Sequence, residues 1–319
     1  MAGDEPVESL AGLGEFAIID RLVAGRDQPA AVGVGPGDDA AVLVAGDGRT
    51  VVSTDMLVEG RHFRLDWSSP YDVGRKAIAQ NAADIEAMGA AATAFVVAFG
   101  APGYTPAAQP VELADGMWAE ARMLGAGIVG GDLVSAPQWV VAVTALGDLA
   151  GRAPVLRSGA RTGDTLAVAG VLGRSAAGYH LWDNNIDGFD ELRMAHVTPE
   201  PPYGHGRVAA DGGATAMTDV SDGLVADLGH IAHASGVGIN VSTAALSADR
   251  DALSVVAAAV GVDPWAWVLG GGEDHALVAT FHGAPPKGWR AIGTVIDAPP
   301  RVLVDGEEWS GNPGWQSYQ

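Results

Sequence analysis

The stretch Tyr71–Met88, YDVGRKAIAQNAADIEAM, has apolar residues at helical spacing and is followed by the short apolar run Thr93–Phe99. The first segment predicts a helix, and the second, rich in Val and Phe, predicts a strand. On the helix, Asn81 and Asp84 share a face with Met88, where an ionised carboxylate beside apolar neighbours needs a partner. A plain exposed helical aspartate is the alternative.

Helices and strands alternate on both sides of this segment. In the first half, the predictions are a helix at Leu10–Val23, a hairpin of two strands at Ala40–Val44 and Thr50–Thr54, a helix at Val111–Leu124 and a strand at Gln138–Leu149. In the second half, the predicted strands are Asp164–Ala169, Ala214–Met217, Gly238–Val241, Ala276–Phe281 and Arg301–Val304, and the predicted helices are Ser175–Trp182, Ser221–Ser235 and Ala252–Val260. This mixture predicts an α/β or α+β fold.

The length of 319 residues favours two domains of ordinary size over a single core. The segment Arg152–Gly163 carries turn residues and basic charge between two apolar segments, which is typical of a domain boundary. We therefore place an N-terminal domain at residues 1–150 and a C-terminal domain at residues 151–319.

The composition excludes several classes of function. A net charge of −21 makes nucleic acid an unfavourable partner, because an anionic polymer would be repelled. The chain has no cysteine, so disulfides, thiolate zinc sites and thiol nucleophiles are excluded. The acidic segment Met1–Leu10 and the lack of a long apolar run indicate neither secretion nor membrane insertion, so a cytoplasmic protein is expected.

Aspartates at predicted strand ends are candidate metal ligands. Asp38 and Asp39 lie at one end of the predicted hairpin and Asp55 lies at the other, so their carboxylates could face one edge, as magnesium requires. Gly130-Gly131-Asp132 ends a short predicted strand, where two glycines would let a phosphate approach the backbone. Each of these motifs is also an ordinary turn or cap sequence.

Two glycine-containing motifs in the second half add further carboxylates. Thr218–Gly223, TDVSDG, is predicted to begin a helix, so that Asp219 and Asp222 fall within one turn and Ser221 lies between them near free N–H groups. An N-cap alone would need just one of these residues. Gly270–Asp274, GGGED, combines a flexible backbone with two carboxylates, which suits a substrate-facing loop.

Familiar nucleotide and metal motifs are missing or out of context. No Gly-x4-Gly-Lys-[Ser/Thr] sequence occurs, which excludes a P-loop. Gly125–Gly130 matches a dinucleotide fingerprint, but it follows a predicted helix and enters a strand, which is the reverse of the required order. His230 and His233 lie one turn apart without an evident third ligand, which favours a surface or packing role.

Taken together and in order, these motifs resemble the thiamine-monophosphate kinase family. The motifs that carry the resemblance are Gly33–Asp39 (GVGPGDD), Ser53–Asp55 (STD), Asn81–Gly89 (NAADIEAMG), Gly130–Asp132 (GGD), Arg157–Gly159 (RSG), Asp219–Gly223 (DVSDG) and Gly271–Asp274 (GGED). Single motifs also resemble other members of the aminoimidazole ribonucleotide synthetase superfamily, but Glu15-Phe16, Glu59–Phe63 and Trp315 point to the thiamine enzyme. The resemblance extends over residues 14–315.

The resemblance implies a two-domain, aminoimidazole ribonucleotide synthetase-like fold, with the N-terminal domains paired across a homodimer and the nucleotide between the domains. It implies that the N-terminal domain binds ATP and magnesium and that the C-terminal domain completes the nucleotide and substrate site. The implied reaction phosphorylates thiamine monophosphate with ATP to give thiamine diphosphate and ADP, the last step of thiamine diphosphate biosynthesis. Since the acceptor oxygen is already anionic, several Mg²⁺ ions would act mainly by charge neutralisation and in-line alignment.

The same resemblance assigns roles residue by residue. The residues expected to bind magnesium are Asp39, Ser53, Thr54, Asp55, Asp84, Asp132, Asp219 and Asp222, of which Asp39, Asp84, Asp132 and Asp222 are expected to be catalytic. The residues expected to contact ATP are Gly131, Asp132, Arg157 and Ser221, and those expected to contact thiamine monophosphate are His62, Glu273 and Trp315. His275 departs from the family, which usually carries Tyr there, so the edge of the substrate pocket is expected to differ.

Two other functions are compatible with parts of the sequence. Another ATP-dependent enzyme of the superfamily, such as a ribonucleotide cyclo-ligase, would release ADP with amide-type substrates. A non-enzymatic protein that binds metal or nucleotide would bind without turnover. The full set of motifs favours the magnesium-dependent kinase.

Overall fold

The computed structural model describes residues 8–13, 15–35 and 41–315, and the chain divides into two compact units. The first unit comprises Met1–Asn81 and Ala92–Asp148, and the second comprises Ala82–Ala91 and Leu149–Gln319. The sequence predicts one boundary near residue 150. The described chain in addition has a short segment, residues 82–91, that packs with the second unit.

The first unit is a four-stranded sheet with helices. Its elements in chain order are α1 (Leu10–Leu13), α2 (Glu15–Val23), β1 (Val32–Val34), β2 (Val42–Leu43), β3 (Val51–Val58), α3 (Pro70–Ala87), β4 (Ala91–Ala101), α4 (Ala108–Leu124), β5 (Gly127–Ser135) and β6 (Val140–Asp148). Strands β3, β6, β4 and β5 form the sheet in that order, and β1 and β2 form a separate pair. The helix and strand predicted at Tyr71–Met88 and Thr93–Phe99 are confirmed as α3 and β4, with shifted ends.

The predicted hairpin of Ala40–Val44 and Thr50–Thr54 is wrong. In the described chain, β2 pairs with β1, whereas β3 pairs antiparallel with β6 along its full length, from Val51 opposite Gly147 to Val58 opposite Val140. The eight-residue β3 finds in β6 an apolar partner of matching length, which the two-residue β2 does not offer. The full-length ladder with β6 therefore outweighs the local turn sequence in setting this pairing.

The second unit is built on a seven-stranded sheet. Its elements in chain order are β7 (Thr165–Ala169), α5 (Arg174–Asp183), α6 (Asp190–Val197), α7 (His205–Asp211), β8 (Ala214–Val220), α8 (Leu224–Ser235), β9 (Gly238–Val241), a 3₁₀ turn (Ala244–Leu246), α9 (Ser247–Val260), α10 (Pro264–Gly270), β10 (Ala276–Phe281), β11 (Arg290–Ile296), β12 (Arg301–Val304) and β13 (Glu307–Glu308). The strand order is β13-β12-β9-β11-β7-β10-β8, with β12 and β9 parallel and the other pairs antiparallel. Across the described part of the chain, no helix has both the length and the apolar content needed to cross a membrane.

The seven-stranded sheet is buried on both faces. Leu166 and Val168 of β7 belong to a core that includes buried residues of α5, α8, α9 and α10, whereas Ala167 and Ala169 belong to a second core with Phe281 and Trp289. Since successive side chains of a strand point to opposite faces, the two cores lie on the two sides of the sheet. This double burial explains why the predicted strands of the second half are continuous apolar runs.

Residues 82–91 pack with the second unit through the last turn of α3. The buried Glu86 accepts a hydrogen bond at Oε2 from Gly206 N, at the start of α7, at 3.0 Å. Burial raises the pKa of the Glu86 carboxyl, although the backbone N–H groups around it oppose this shift. Val155 N donates to Met88 O at 3.1 Å, which is a second hydrogen bond between residues 82–91 and the rest of the second unit.

Candidate active site

Strand β3 carries three predicted ligands, and its pleat divides them between two faces. Side chains alternate along a strand, so Thr54 points away from the face shared by Ser53 and Asp55. The Thr54 hydroxyl donates to Val143 O at 2.9 Å and accepts from Thr144 Oγ1 at 3.2 Å. A contribution of Thr54 to a metal site would therefore come from its main-chain carbonyl oxygen.

Helix α3 orients Asp55. The exposed Asp55 carboxylate accepts at Oδ2 from Gln80 Nε2 at 3.2 Å, and Asp55 N donates to Asn81 Oδ1 at 3.0 Å. Asn81 Nδ2 donates in turn to Ala77 O at 2.9 Å, which fixes the orientation of the buried amide. Asp55 thus keeps one oxygen for a ligand while its strand position is held by α3.

The Gly130-Gly131-Asp132 motif lies inside β5, and the prediction that it ends a strand is wrong. In the parallel pair with β4, Gly131 lies opposite Val97 and Asp132 opposite Ala98. A Cβ atom on Gly131 would lie 2.0 Å from Val97 O, so glycine is required there by the neighbouring strand. Asp132 is exposed, and its Oδ1 accepts from Leu133 N at 2.9 Å.

The loop that follows β3 holds His62 in one tautomer. Val58 N donates to His62 Nδ1 at 3.0 Å, so the neutral ring carries its proton on Nε2. Lys76 of α3, which is buried, donates through Nζ to His62 O at 3.1 Å. Phe63 anchors the loop in the core. His62 is therefore set to act as a donor through Nε2.

In the second unit, the end of β8 leads through a turn into α8. Helix α8 begins at Leu224, so the prediction that Asp219 and Asp222 fall within its first turn is wrong: Asp219 lies in β8 and Asp222 lies in the turn. The helix start is capped by Asp227, whose Oδ2 accepts from Asp222 N and Gly223 N at 3.0 Å each. By reaching back from the first helical turn, Asp227 satisfies two backbone N–H groups ahead of the helix.

The loop from Gly270 to His275 packs directly on this turn. Glu273 N donates to Ser221 O at 2.8 Å, and His275 N donates to Val220 O at 3.1 Å. A Cβ atom on Gly272 would lie 2.2 Å from Ser221 O, so the two backbones approach as closely as they can. Glu273 and His275 both have positive φ, 63° and 52°. Such backbone is strained for side chains of this size and is concentrated at functional sites.

A buried ion pair links the loop to β8. His275 Nδ1 lies 3.1 Å from Asp219 Oδ2, and both side chains are buried. Burial alone lowers the pKa of His275, but the hydrogen bond to Asp219 and the negative charges of Asp219, Glu273 and Asp84 outweigh it, so the pKa is raised. Asp84, at the end of α3, therefore belongs to this electrostatic group.

The C-terminal segment and the Arg157 loop are held near opposite ends of α8. Trp315 N donates to Asp222 O at 2.9 Å, and the indole is half exposed. The loop that carries the exposed Arg157 is held by one hydroxyl: Ser235 Oγ donates to Arg157 O and accepts from Gly159 N and Ala160 N, each at 3.1 Å. The last residue of α8 thus fixes the backbone of a predicted ATP contact.

The carboxylates near the start of α8 fit a hard divalent cation. One ligand atom each of Asp222, Asp227 and His230 lies within 4.8 Å of the others. Burial, followed by the negative charge of Asp219 and, more weakly, of Asp222, raises the pKa of Asp227 to about 7. Burial is the main cause, and a bound cation would offset the added effect of the two neighbouring carboxylates, whose oxygens are the ligands that Mg²⁺ prefers.

The predicted ligands divide between the two units, and in the first unit they lie on β3 and β5, the two edge strands of the sheet. Ser53, Asp55 and Asp132 belong to the first unit, and Asp84, Asp219 and Asp222 belong to the second. Asp38 and Asp39 lie outside the described residues.

Known proteins match the chain over nearly its full length. The profiles described as AIR synthase related protein, N-terminal domain and C-terminal domain, match residues 37–149 and 161–270. The thiamine-monophosphate kinase of Mycobacterium tuberculosis is 72% identical over 97% of this chain and 93% of its own, and that of Corynebacterium glutamicum is 45% identical over 97% and 95%. The chain belongs to the thiamine-monophosphate kinase family.

Solved structures of thiamine-monophosphate kinases have the same fold. The enzyme from Stenotrophomonas maltophilia has a TM-score of 0.79 at 31% identity and covers 93% of this chain and 98% of its own. The structure described as AaThiL complexed with AMPPCP and TMP has a TM-score of 0.78 at 28% identity. The match covers 98% of this chain and 100% of that one. The two-domain α/β fold expected from the sequence is therefore confirmed.

Several residues of this thiamine-monophosphate kinase family member contact predicted site residues or their neighbours without a predicted role of their own. They are Lys76, Gln80, His196, Asp227, His230, Ser235 and Asp274. Asp227 has a signal in the sequence, since an acidic residue in the first turn after a glycine is a common helix cap. The others meet partners far away in sequence, such as Lys76 with His62 and Ser235 with Arg157, for which no local pattern exists.

Proposed function

We propose that this chain transfers the γ-phosphoryl group of ATP to the phosphate of thiamine monophosphate. The observation that carries the proposal is the 72% identity to the M. tuberculosis thiamine-monophosphate kinase over 97% of the chain. An acceptor phosphate oxygen forms a bond to the γ-phosphorus in line with the departing β–γ bridging oxygen, and ADP leaves with the electron pair of the broken bond. The product is thiamine diphosphate, so the reaction would be the last step of thiamine diphosphate biosynthesis. A cytoplasmic location is a separate prediction from the sequence.

The carboxylates would hold several Mg²⁺ ions. When bound, these ions neutralise the phosphate charges of donor and acceptor. The ligands we propose are Asp39, Ser53, Thr54 through its carbonyl, Asp55, Asp84, Asp132, Asp219 and Asp222. The exposed Asp132 and the partly exposed Asp222 support this assignment, because their carboxylates reach the surface, and a bound cation would offset the negative charges that help to raise the pKa of Asp227.

The remaining site residues bind and orient the two substrates. We propose that Gly131, Arg157 and Ser221 contact ATP, and that the half-exposed indole of Trp315 covers a ring of thiamine monophosphate. His62 would donate through Nε2, because Val58 N occupies its Nδ1. Glu273, which has a partly exposed carboxylate on a strained backbone, would face the cationic part of the same substrate.

We propose that a second copy of the chain covers the open face of the first-unit sheet. Val52 and Met56 lie on one face of the edge strand β3 and are 60% and 53% exposed, and Val96 and Val134 of the same sheet are also exposed. An apolar sheet face of this kind is typical of a homodimer interface. Light scattering on Met56→Glu tests it: loss of a wild-type dimer supports the proposal, with the exposed Val255→Glu of α9 as the matched control.

The reaction is tested by chromatography of the products. Purified protein is mixed with ATP, magnesium and thiamine monophosphate, with free thiamine and a chelated sample as controls. We expect thiamine diphosphate and ADP from the monophosphate alone, and none after chelation. Nucleotide binding without product would contradict the proposal and direct the assay to amide-type substrates of the wider superfamily.

A further inference from the structure

His196 is a buried histidine that the proposed reaction does not use. It lies in the last turn of α6, and its side chain is 7% exposed. Its Nδ1 lies 3.3 Å from Glu273 Oε2 and 3.2 Å from Ser175 Oγ. Both contacts go to the same ring nitrogen, so the three side chains do not form a proton relay, which would need one contact at each nitrogen.

The ring is held by groups that are themselves fixed. Ser175 is fully buried at the start of α5, and its N–H donates to Asp274 Oδ1 at 2.8 Å. Asp274 Oδ2 accepts from Gly173 N at 2.6 Å, so the carboxylate caps α5 with both oxygens. The ring of Tyr179 packs edge-on against the imidazole of His196, with centroids 5.4 Å apart. His196 therefore has little freedom to turn.

Glu273 is fixed at its backbone and at one carboxylate oxygen. Its N–H donates to Ser221 O at 2.8 Å and its φ is 63°, while its side chain is about one third exposed. A glutamate on the surface normally samples several rotamers, and ordering it costs roughly 1 kcal/mol or more of conformational free energy. The contact with His196 selects one rotamer before a substrate arrives, which is preorganisation.

We propose that His196 is a positioning residue that holds the Glu273 carboxylate in the orientation that receives thiamine monophosphate. This inference rests on the proposed function, in which Glu273 contacts that substrate. An ionised carboxylate only accepts hydrogen bonds, so the proton lies on Nδ1 and is donated to Glu273 Oε2. With the proton on Nδ1, the Ser175 hydroxyl oxygen, 3.2 Å from the same nitrogen, is a second acceptor that holds the ring from the side of α5.

Glu273 and Ser175 both contact Nδ1 of His196, so two amide replacements of different length give a selective test. The amide of Asn places a donor near the position of Nδ1, whereas the longer Gln reaches towards the position of Nε2. We expect His196→Ala and His196→Gln to raise the KM for thiamine monophosphate about tenfold, as suits one hydrogen bond to a charged group. His196→Asn should remain within about threefold of wild type, and the KM for ATP should not change in any of the three.

A double-mutant cycle separates positioning from general damage. In a Glu273→Ala background, His196→Ala should leave the KM for thiamine monophosphate where Glu273→Ala alone puts it, since the residue that it positions is gone. His233→Ala is the matched control, because that histidine of α8 is exposed and its Nδ1 lies 2.8 Å from the main-chain oxygen of Gly229 in its own helix. Calorimetric titration with thiamine monophosphate gives the same comparison as a dissociation constant.

Three outcomes would overturn the inference. They are equal effects of the Asn and Gln variants, a parallel rise of both KM values, and full additivity in the double mutant. A wild-type protein that binds thiamine monophosphate but makes no thiamine diphosphate would contradict the proposed reaction, while the titration would still decide the role of His196. A wild-type protein that does not bind thiamine monophosphate would overturn both.

Discussion

The two units present their candidate ligands in different ways. In the first unit, Asp55 and Asp132 lie on regular strands, and both carboxylates are exposed. In the second unit, the candidate ligand Asp219 is buried, as are the helix-capping residues Asp227 and Asp274, and the adjoining loop contains two strained residues, Glu273 and His275. Strand ladders hold the backbone of β3 and β5, and Asp55 in addition accepts from Gln80 of α3, whereas contacts among loops, helices and strands hold the second-unit carboxyls. Substitutions in the first should therefore remove activity alone, and substitutions in the second should also change stability.

The largest effect is expected at an exposed first-unit carboxylate. Asp132→Asn should lower kcat roughly 100- to 1000-fold, since one charge-stabilising group of the transition state is lost. The melting temperature should stay within about 1 °C, because Asn keeps the acceptor for Leu133 N and surface substitutions seldom change stability. Steady-state kinetics and calorimetry on the same preparation measure both quantities.

Asp20→Asn is the matched control for this change. Asp20 is an exposed aspartate of α2 in the same unit, so its replacement removes the same charge at a position with no predicted role in the site. We expect unchanged kcat and melting temperature. Full activity of Asp132→Asn would remove Asp132 from the magnesium site, and a large loss of stability would erase the contrast between the units.

The next largest effect is expected at Gly272 in the second unit. Gly272→Ala would place a methyl group 2.2 Å from Ser221 O, so the loop must move, at a cost of roughly 1–3 kcal/mol in the free energy of unfolding. Activity should fall as well, because Glu273 moves with the loop. Denaturant unfolding and turnover are the measurements.

Gly229→Ala provides the opposite control within the same unit. A Cβ atom at Gly229, in the middle of α8, meets no atom within 4 Å, so Ala should stabilise the helix by roughly 0.5–1 kcal/mol. Equal stability of the two variants would show that the close approach of the loop to Ser221 is unimportant.

Much of the fold could be predicted from the sequence because local periodicity determines it. Helix α3, strand β4 and the apolar strands β7 and β10 follow from patterns of apolar residues. The pairing of β3 with β6 could not be predicted, because Val58 and Val140 are 82 positions apart and a local turn signal suggested another partner. Pairing depends on which surfaces are buried together, and no local pattern encodes that.

The site divides in the same way. Asp55, Asp132, Asp219 and Asp222 stand in recognisable motifs, so their candidacy could be read from the sequence. The side chains that orient these candidate residues could not be predicted, because each orienting contact joins segments that are distant in sequence. Ser175 meets Asp274 across 99 positions, and His275 meets Asp219 across 56. Even the motif at Thr218–Gly223 misled, since its helix is capped by Asp227 rather than from within the motif.

A third prediction concerns the pH dependence of stability. Burial raises the pKa of Asp274 to about 7, although the N–H groups of Ser175 and Gly173 oppose this shift, while the unfolded chain has an ordinary value near 3.8. Between those values the folded state binds more protons, so its stability is greatest at the acidic end and falls as pH rises towards 7. Asp274→Asn should flatten this fall in chemical unfolding between pH 4 and 7.

The control for the pH profile is Asp297→Asn, an exposed aspartate of the same unit, which should leave the slope unchanged. Asp227, whose pKa is raised in the same direction, should retain part of the slope in the Asp274 variant. An Asp274→Asn profile as steep as that of wild type would mean that Asp274 ionises normally in the folded protein.

The smallest effect is expected at the loop of Arg157. Ser235→Ala removes the hydroxyl that makes three hydrogen bonds to the backbone of Arg157, Gly159 and Ala160. The loop should then sample other conformations, and the KM for ATP should rise about three- to tenfold, the size of one or two lost hydrogen bonds. The KM for thiamine monophosphate should not change, because Glu273 and Trp315 are held by other contacts.

Two variants decide whether the Ser235 effect is specific. Ser235→Thr keeps the hydroxyl and should restore most of the ATP affinity, whereas Ser254→Ala, which removes a hydroxyl bonded to Asp251 O on α9, should change neither KM. A rise of both KM values in Ser235→Ala would indicate a general loosening of the second unit. A rise of the KM for ATP alone would show that a side chain distant in sequence orders the exposed Arg157 loop. Arg157 would then depend on Ser235 for its position, just as the buried Asp219 depends on His275.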